Sequence, residues 1–254
     1  MVGCAVQSYS DTRAIRKRGR FVFKPFQSKG RGERENAFYQ RSKMLGDLIP
    51  RYIETVHFDE QYIQLEDITH DFQRPCIMDV KIGTKSYEPS ASASKIQEEV
   101  RKFPPQQHLG FRVQGVKVFN TSEGQYETYD KYYCRDQDYD ALVELFRIFL
   151  GGSEESMIRE RNRVNLLPRM IDRLREMRDR IAPIQEYTFV ASSLLFVYEA
   201  VGPAFGKMDI RLIDFAHVLY EREFQQEYHQ GVLRGIDSII KHLSTIHESD
   251  VRIS

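Results

Sequence analysis

The segment Pro75–Ile82 constrains the chain more than any other. Cys76, Met78, Val80 and Ile82 are apolar at every second position, the period at which a β-strand returns side chains to one face. Ile77, Asp79 and Lys81 therefore share the opposite face, and Gly83 follows where the backbone must turn or let another group come close. A carboxylate and an ammonium two residues apart on one strand are costly to bury without partners or a polar ligand. Taken alone, the pair serves equally as a structural ion pair at a sheet rim or as a place for charged chemistry.

With 254 residues, the chain is long enough for one large domain or two lobes with a sizeable core. Lys plus Arg and Asp plus Glu number 37 each, so net charge favours neither a nucleic acid nor a membrane as partner. Any anion site must arise from local clustering. No apolar run approaches the roughly 18 residues of a membrane span, and the amino terminus lacks the apolar core of a signal peptide. Cys4, Cys76 and Cys134 form neither a metal spacing nor a disulfide framework, which suits a reducing compartment. The expectation is a cytoplasmic or nuclear protein, or both, with no nucleic-acid partner and no stable membrane association.

Along the chain, residues 1–26 read as a hairpin, with strand residues at Ala5-Val6 and Phe21–Phe26 and the basic run Arg13–Arg20 as its solvated tip. Lys24 falls on the second strand, and Glu35 follows in a segment that reads as a helix over Arg34–Leu45. Val56–Phe58 and Gln61–Leu65 are short strands. Ser94 and Gln97 fit a capping box, Ile96, Val100 and Phe103 form the apolar stripe of the helix behind it, and Pro104-Pro105 ends it. Phe111–Phe119 alternates and slips phase at Gly115, as a bulged strand would. Residues 120–137 suit a loop or short hairpin. Leu142–Leu150 reads as a buried helix stopped by Gly151-Gly152, and a helical stripe runs from Leu167 to Ile181. Phe189–Tyr198 is a strand, Ile210–Ile213 is another ending at Asp214, and Gly231–Ile246 is a closing helix. A lone aspartate ending a strand is commonly only a cap or turn former.

The pattern Pro-x-x-x-Asp-x-Lys-x-Gly at 75–83 resembles the signature of the inositol polyphosphate kinase family. The longer run Pro75–Pro89 is most similar to its multikinase branch. The resemblance continues in collinear order over about residues 20–245. It implies an α+β, two-lobed, protein-kinase-like fold, with an antiparallel-sheet N-terminal lobe at 1–67, a hinge near 66–70 and a larger mixed lobe at 68–254. It further implies a monomeric kinase moving the γ-phosphoryl group of ATP to a soluble inositol polyphosphate, with a phosphoinositide lipid as a further substrate. Magnesium is the implied metal, with manganese able to replace it. Two alternatives stand beside this: an inositol hexakisphosphate kinase making pyrophosphates, and a non-catalytic scaffold.

Residue by residue, the resemblance gives Lys24 to the nucleotide phosphates, fixed by Glu35, an arrangement that kinase-like folds use. Leu65-Glu66-Asp67-Ile68 resembles the hinge that meets adenine, through the Glu66 carbonyl and the Ile68 amide. Asp214 becomes the metal ligand. Lys81 bridges the transferred group and the attacking hydroxyl, and Asp79 either accepts that hydroxyl's proton or grips the ribose. Ser192–Leu195 matches an element near the phosphates. Arg31, Lys95, Lys102 and His217 fall on substrate-contacting positions, while Glu98 and Glu99 stand where the family has glutamines and oppose an anion. Neither the His-Arg-Asp loop of protein kinases nor a Walker A motif occurs; Gly202–Met208 is one residue short of the latter.

Overall fold

The computed structural model describes residues 15–137, 139–151, 156–201, 206–220 and 222–249. Among these residues, nine strands form two antiparallel sheets. The first sheet takes β1 (Arg16–Arg18), β2 (Phe21–Pro25), β3 (Tyr52–His57) and β4 (Gln61–Glu66) in the order β1-β2-β4-β3. The second takes β5 (Pro75–Ile82), β6 (Phe111–Asn120), β7 (Gln125–Tyr129), β8 (Ser193–Glu199) and β9 (Met208–Ile213) in the order β7-β6-β5-β8-β9. Seven helices are α1 (Arg31–Arg41), α2 (Ala93–Lys102), α3 (Gln106–Leu109), α4 (Lys131–Arg135), α5 (Tyr139–Phe149), α6 (Ser156–Ile181) and α7 (Arg222–Ser249). A 3₁₀ segment spans Lys43–Leu48.

The alternation in β5 has its explanation here. β5 is the central strand of its sheet, paired on both edges, and its apolar residues enter one core with Leu142, Phe146, Val232 and Ile236. Cys76, Met78 and Val80 are fully inaccessible to solvent. Helices α5, α6 and α7 cover that face, leaving the other face of β5 to carry Asp79 and Lys81 into a cleft. The bulge expected at Gly115 is present: Asp79 opposes Gly115 and Val80 opposes Val113, so Gln114 is the extra residue. At the end of β5, the Gly83 amide donates to the Gly110 carbonyl. Helix α7 passes so close that a Cβ on Gly235 would lie 2.1 Å from that carbonyl oxygen, so only glycine fits there.

Several boundaries differ from the sequence reading. Arg16–Arg18 is not a hairpin tip but an exposed strand, paired with Phe21–Phe23 across a tight turn whose Gly19 has φ 59°; its basic composition hid the pairing. Helix α1 begins at Arg31, after the left-handed Gly30, and ends at Arg41, where the Ser42 hydroxyl and amide both donate back to the Phe38 carbonyl. The cap of α2 is Ser92, whose hydroxyl accepts from the Lys95 amide, so Ser94 lies inside the helix. Ile96 and Val100 are half-buried, and the buried member of α2 is Glu99. Residues 120–137 resolve into the end of the β6–β7 hairpin and the short α4. Ala5-Val6, Gly152 and residues 202–205 lie outside the described residues.

Candidate active site

Two clefts meet at three side chains. One, about 140 Å³, is lined mainly by apolar groups: Val22, Tyr39, Leu65, Ile68, Ile77, Leu195 and Ile213, with Glu66 at its edge. The other, about 680 Å³, is lined by charge, including Arg31, Lys81, Lys95, Lys102, Arg112 and His217. Lys24, Asp79 and Asp214 line both.

At that junction, Lys24 Nζ donates to Glu35 Oε1 at 2.7 Å and to Asp214 Oδ1 at 2.5 Å. The sequence puts these groups on β2, on α1 and just beyond β9. Aromatic packing draws them together: Phe38 lies 4.4 Å from Phe215 between ring centroids, and Tyr39 lies 5.1 Å from it. Glu35 Oε1 also accepts from the Phe215 amide at 3.1 Å, so one carboxylate fixes both the lysine and the backbone beside Asp214. Asp214 has φ 67°, a left-handed conformation that aspartate tolerates better than most residues, and its carbonyl accepts from the Ser192 hydroxyl.

Burial works against the charge on Lys24, but Asp214 and Glu35 outweigh it and raise its pKa. Burial also opposes the Asp214 carboxylate, yet Lys24 and Lys81 hold it below the usual range. Asp79 behaves oppositely. Desolvation first, then repulsion from Asp214, pushes its carboxyl up to about 6, and Oδ1 has no hydrogen-bond partner among the described residues. Lys81 is lowered, chiefly by burial, and its Nζ donates to the Ala191 carbonyl at 2.5 Å. Ala191 itself has φ 56°, backbone strain of about 1–3 kcal/mol that the surrounding structure must hold in place.

The sequence-expected residues divide between the clefts. Glu66 and Ile68 line the apolar one, and Asp67 beside them takes hydrogen bonds from Lys17 and from the Thr69 amide and hydroxyl. Arg31, Lys95, Lys102 and His217 line the charged one, spread over α1, α2 and the loop after β9. His217 Nδ1 lies 2.7 Å from Glu88 Oε1, while Lys95 and Lys102 are paired with Glu98 and Glu99 rather than presented bare. Sequence reasoning passed over Arg112, Gln114, Lys131 and Arg135, which also line this cleft. Arg112 pairs in register with Lys81, and an arginine within the alternation of β6 was the available signal. Ser193 was read as a plain strand residue; it lines the charged cleft with Asp79 and works against the rise in that carboxyl's pKa.

No group of three His, Cys, Asp or Glu side chains poised for a metal occurs among the described residues. Magnesium binds through one or two carboxylates and completes its shell with phosphate and water oxygens. Asp214, held ionised by Lys24 and Lys81 and lining both clefts, fits such a site.

A profile of the inositol polyphosphate kinase family matches residues 62–244. The inositol polyphosphate multikinase of Rattus norvegicus is 38% identical over 157 residues, covering 61% of this chain and 38% of that protein. The multikinase of Homo sapiens is 34% identical over 208 residues, covering 76% of this chain and 48% of that protein. The chain thus spans between about two fifths and one half of the length of these relatives. The fold is similar to a crystal structure of an inositol phosphate multikinase from S. cerevisiae in complex with ADP and Mn2+. The TM-score is 0.75 at 23% identity, covering 91% of this chain and all of that one.

Proposed function

Because the chain belongs to the inositol polyphosphate kinase family, we propose that it is an enzyme transferring the γ-phosphoryl group of ATP to a hydroxyl of a soluble inositol polyphosphate. The observation that carries this reading is the junction itself. An apolar cleft suited to adenine and a cationic cleft suited to a polyphosphate open onto the same Lys24, Asp79 and Asp214. Residues 1–67 then form the nucleotide-side lobe and 68–254 the substrate-side lobe.

Phosphoryl transfer passes through a loose transition state, so positioning and charge neutralisation do most of the work. Glu66 and Ile68 seat the adenine, and Lys24, held by Glu35, meets the nucleotide phosphates. Asp214 holds magnesium, which when bound neutralises phosphate charge. Lys81 faces only the charged cleft, where its ammonium meets the oxygens gathering charge as the inositol hydroxyl attacks phosphorus and ADP departs. Asp79 receives the hydroxyl proton: it lines both clefts, keeps one oxygen unpartnered and has a pKa near 6, poised for a base at neutral pH.

The test is label transfer from ATP to a panel of inositol phosphates and dispersed phosphoinositide lipids, with magnesium and with chelator. The expected result is magnesium-dependent labelling of a soluble inositol polyphosphate. Tight ATP binding without transfer to any acceptor would make the protein a scaffold instead.

A further inference from the structure

Five charged side chains at the α2 end of the broad cleft form one network. Lys95 Nζ lies 3.1 Å from Glu98 and 2.9 Å from Glu99, and Lys102 Nζ lies 3.1 Å from Glu98 and 2.5 Å from Glu99. Arg112 Nη2 reaches Glu99 Oε2 at 3.4 Å, and its Nη1 reaches the Glu99 carbonyl at 3.5 Å.

The two carboxylates are not equivalent. The Glu98 side chain is 56% exposed, and solvated pairs of this kind are weak enough to open when a stronger anion arrives. Glu99 is 9% exposed and bridges α2 to β6 through Arg112, which is only 3% exposed. Turning Glu99 out would leave Arg112 buried without its counter-ion, a cost well above what a surface pair returns. Burial opposes the Glu99 charge, but Lys102 and Lys95 outweigh it and hold the carboxyl at about 2, so it stays ionised at any working pH.

We propose that Glu99 is a specificity-determining residue: a built-in anion, set among Lys95, Lys102 and Arg112, that takes the electrostatic place of one further substrate phosphoryl group. The inference rests on the inositol polyphosphate reading of this cleft. With Glu98 turned aside, Lys95, Lys102 and Arg112, with Lys131 and Arg135 beside them, face one fixed carboxylate, which cancels one of their positive charges. A phosphomonoester carries about 1.5 to 2 negative charges near pH 7, so the fixed carboxylate removes cationic charge that a further phosphoryl group would use and repels that group besides. The cleft therefore disfavours the most heavily phosphorylated inositols, through a carboxylate that the exposed Glu98 beside it cannot replace.

The experiment is calorimetric titration of inositol tris-, tetrakis- and hexakisphosphate into the protein saturated with magnesium and a non-hydrolysable ATP analogue. Glu99→Gln is expected to tighten hexakisphosphate at least about tenfold and trisphosphate less than about threefold. Glu98→Gln moves that ratio less than about twofold, and Glu99→Asp, which keeps the charge, retains the wild-type ratio. Arg112→Leu removes a cation, leaves Glu99 paired with both lysines, and shifts the ratio against hexakisphosphate at least about threefold; it serves should Glu99→Gln fail to fold. An equal change across the panel in Glu99→Gln, or an unmoved ratio in Arg112→Leu, overturns the inference. If wild type binds none of the three, the functional reading itself falls; if it binds them and the ratio ignores these variants, only this inference falls.

Discussion

The clefts on either side of Asp214 hold their charges by different means. At the edge of the apolar cleft, Lys24 is locked by burial: its side chain is 12% exposed and that of Glu35 1%, and both carboxylate contacts are short. In the charged cleft, Lys95 is 48% exposed and pairs with the exposed Glu98 as well as the buried Glu99, and the half-buried Arg31 donates to the Ser28 carbonyl. The first arrangement is preorganised and costs little to use at the moment of reaction. The second can exchange partners, which suits a site that must admit and release a polyanion. On the proposed reading, the junction governs turnover and the outer cleft governs which substrate enters.

Asp214→Asn should break the junction most severely. Asparagine tolerates the left-handed backbone that Asp214 occupies, so the fold should survive while the metal-binding charge is lost. Turnover is expected to fall at least about a thousandfold, with circular dichroism unchanged. Wild-type turnover in this variant would remove Asp214 from the metal site.

Lys81→Ala sharpens the contrast, because Lys81 lines the charged cleft alone. Turnover should drop at least about a hundredfold, the scale of losing one well-placed electrostatic donor, with ATP affinity within about twofold of wild type. Unchanged turnover with weakened ATP binding would move Lys81 to the nucleotide side.

Asp79 separates function from stability. In the chelated protein its folded pKa, about 6, lies above the ordinary aspartate value of 3.8. Its ionised form therefore destabilises the fold fully above pH 6, and the penalty disappears as pH falls towards 4. Asp79→Asn should raise the unfolding temperature by about 5 °C at pH 8 and by almost nothing at pH 4. The same change should lower turnover about tenfold and abolish the acid limb of its pH profile. A weakened KM for ATP with turnover intact would instead assign Asp79 to the ribose.

Salt gives the smallest effect. Exposed charges are screened over about 10 Å at 0.1 M, so KM for the inositol phosphate should rise with ionic strength. Replacing Lys95 and Lys102 together by alanine should flatten that slope. Identical slopes would mean that α2 does not line the substrate site.

The contrast between the clefts also marks where the sequence was legible. The strand β5 declared itself through strict alternation, since a central strand under helices must be apolar on one face. Lys24 and Glu35 stood out through a strand-to-helix spacing, although their meeting with Asp214, 190 residues from Lys24, came only through resemblance, because spacing carries no such long-range contact. The charged cleft was harder to read. Glu98 and Glu99 were seen as acids opposing a substrate, and the i,i+3 and i,i+4 spacing to Lys95 and Lys102 that pairs them was passed over. Arg112 went unmarked because its importance depends on the register that sets it beside Lys81. Of Ser92 and Ser94, only Ser94 has the glutamine three residues on that a capping box asks for, yet the cap is Ser92, so the local rule pointed to the wrong serine.

One measurement bears most directly on the claim that two adjoining sites share Lys24, Asp79 and Asp214. An inositol phosphate that the enzyme accepts is titrated into free protein and into protein saturated with magnesium and a non-hydrolysable ATP analogue. The account predicts a ternary complex, with the inositol phosphate bound at one equivalent and with affinity within about threefold in the two titrations. Mutually exclusive binding would contradict it, because the two ligands would then occupy one site and no phosphoryl group could pass between them.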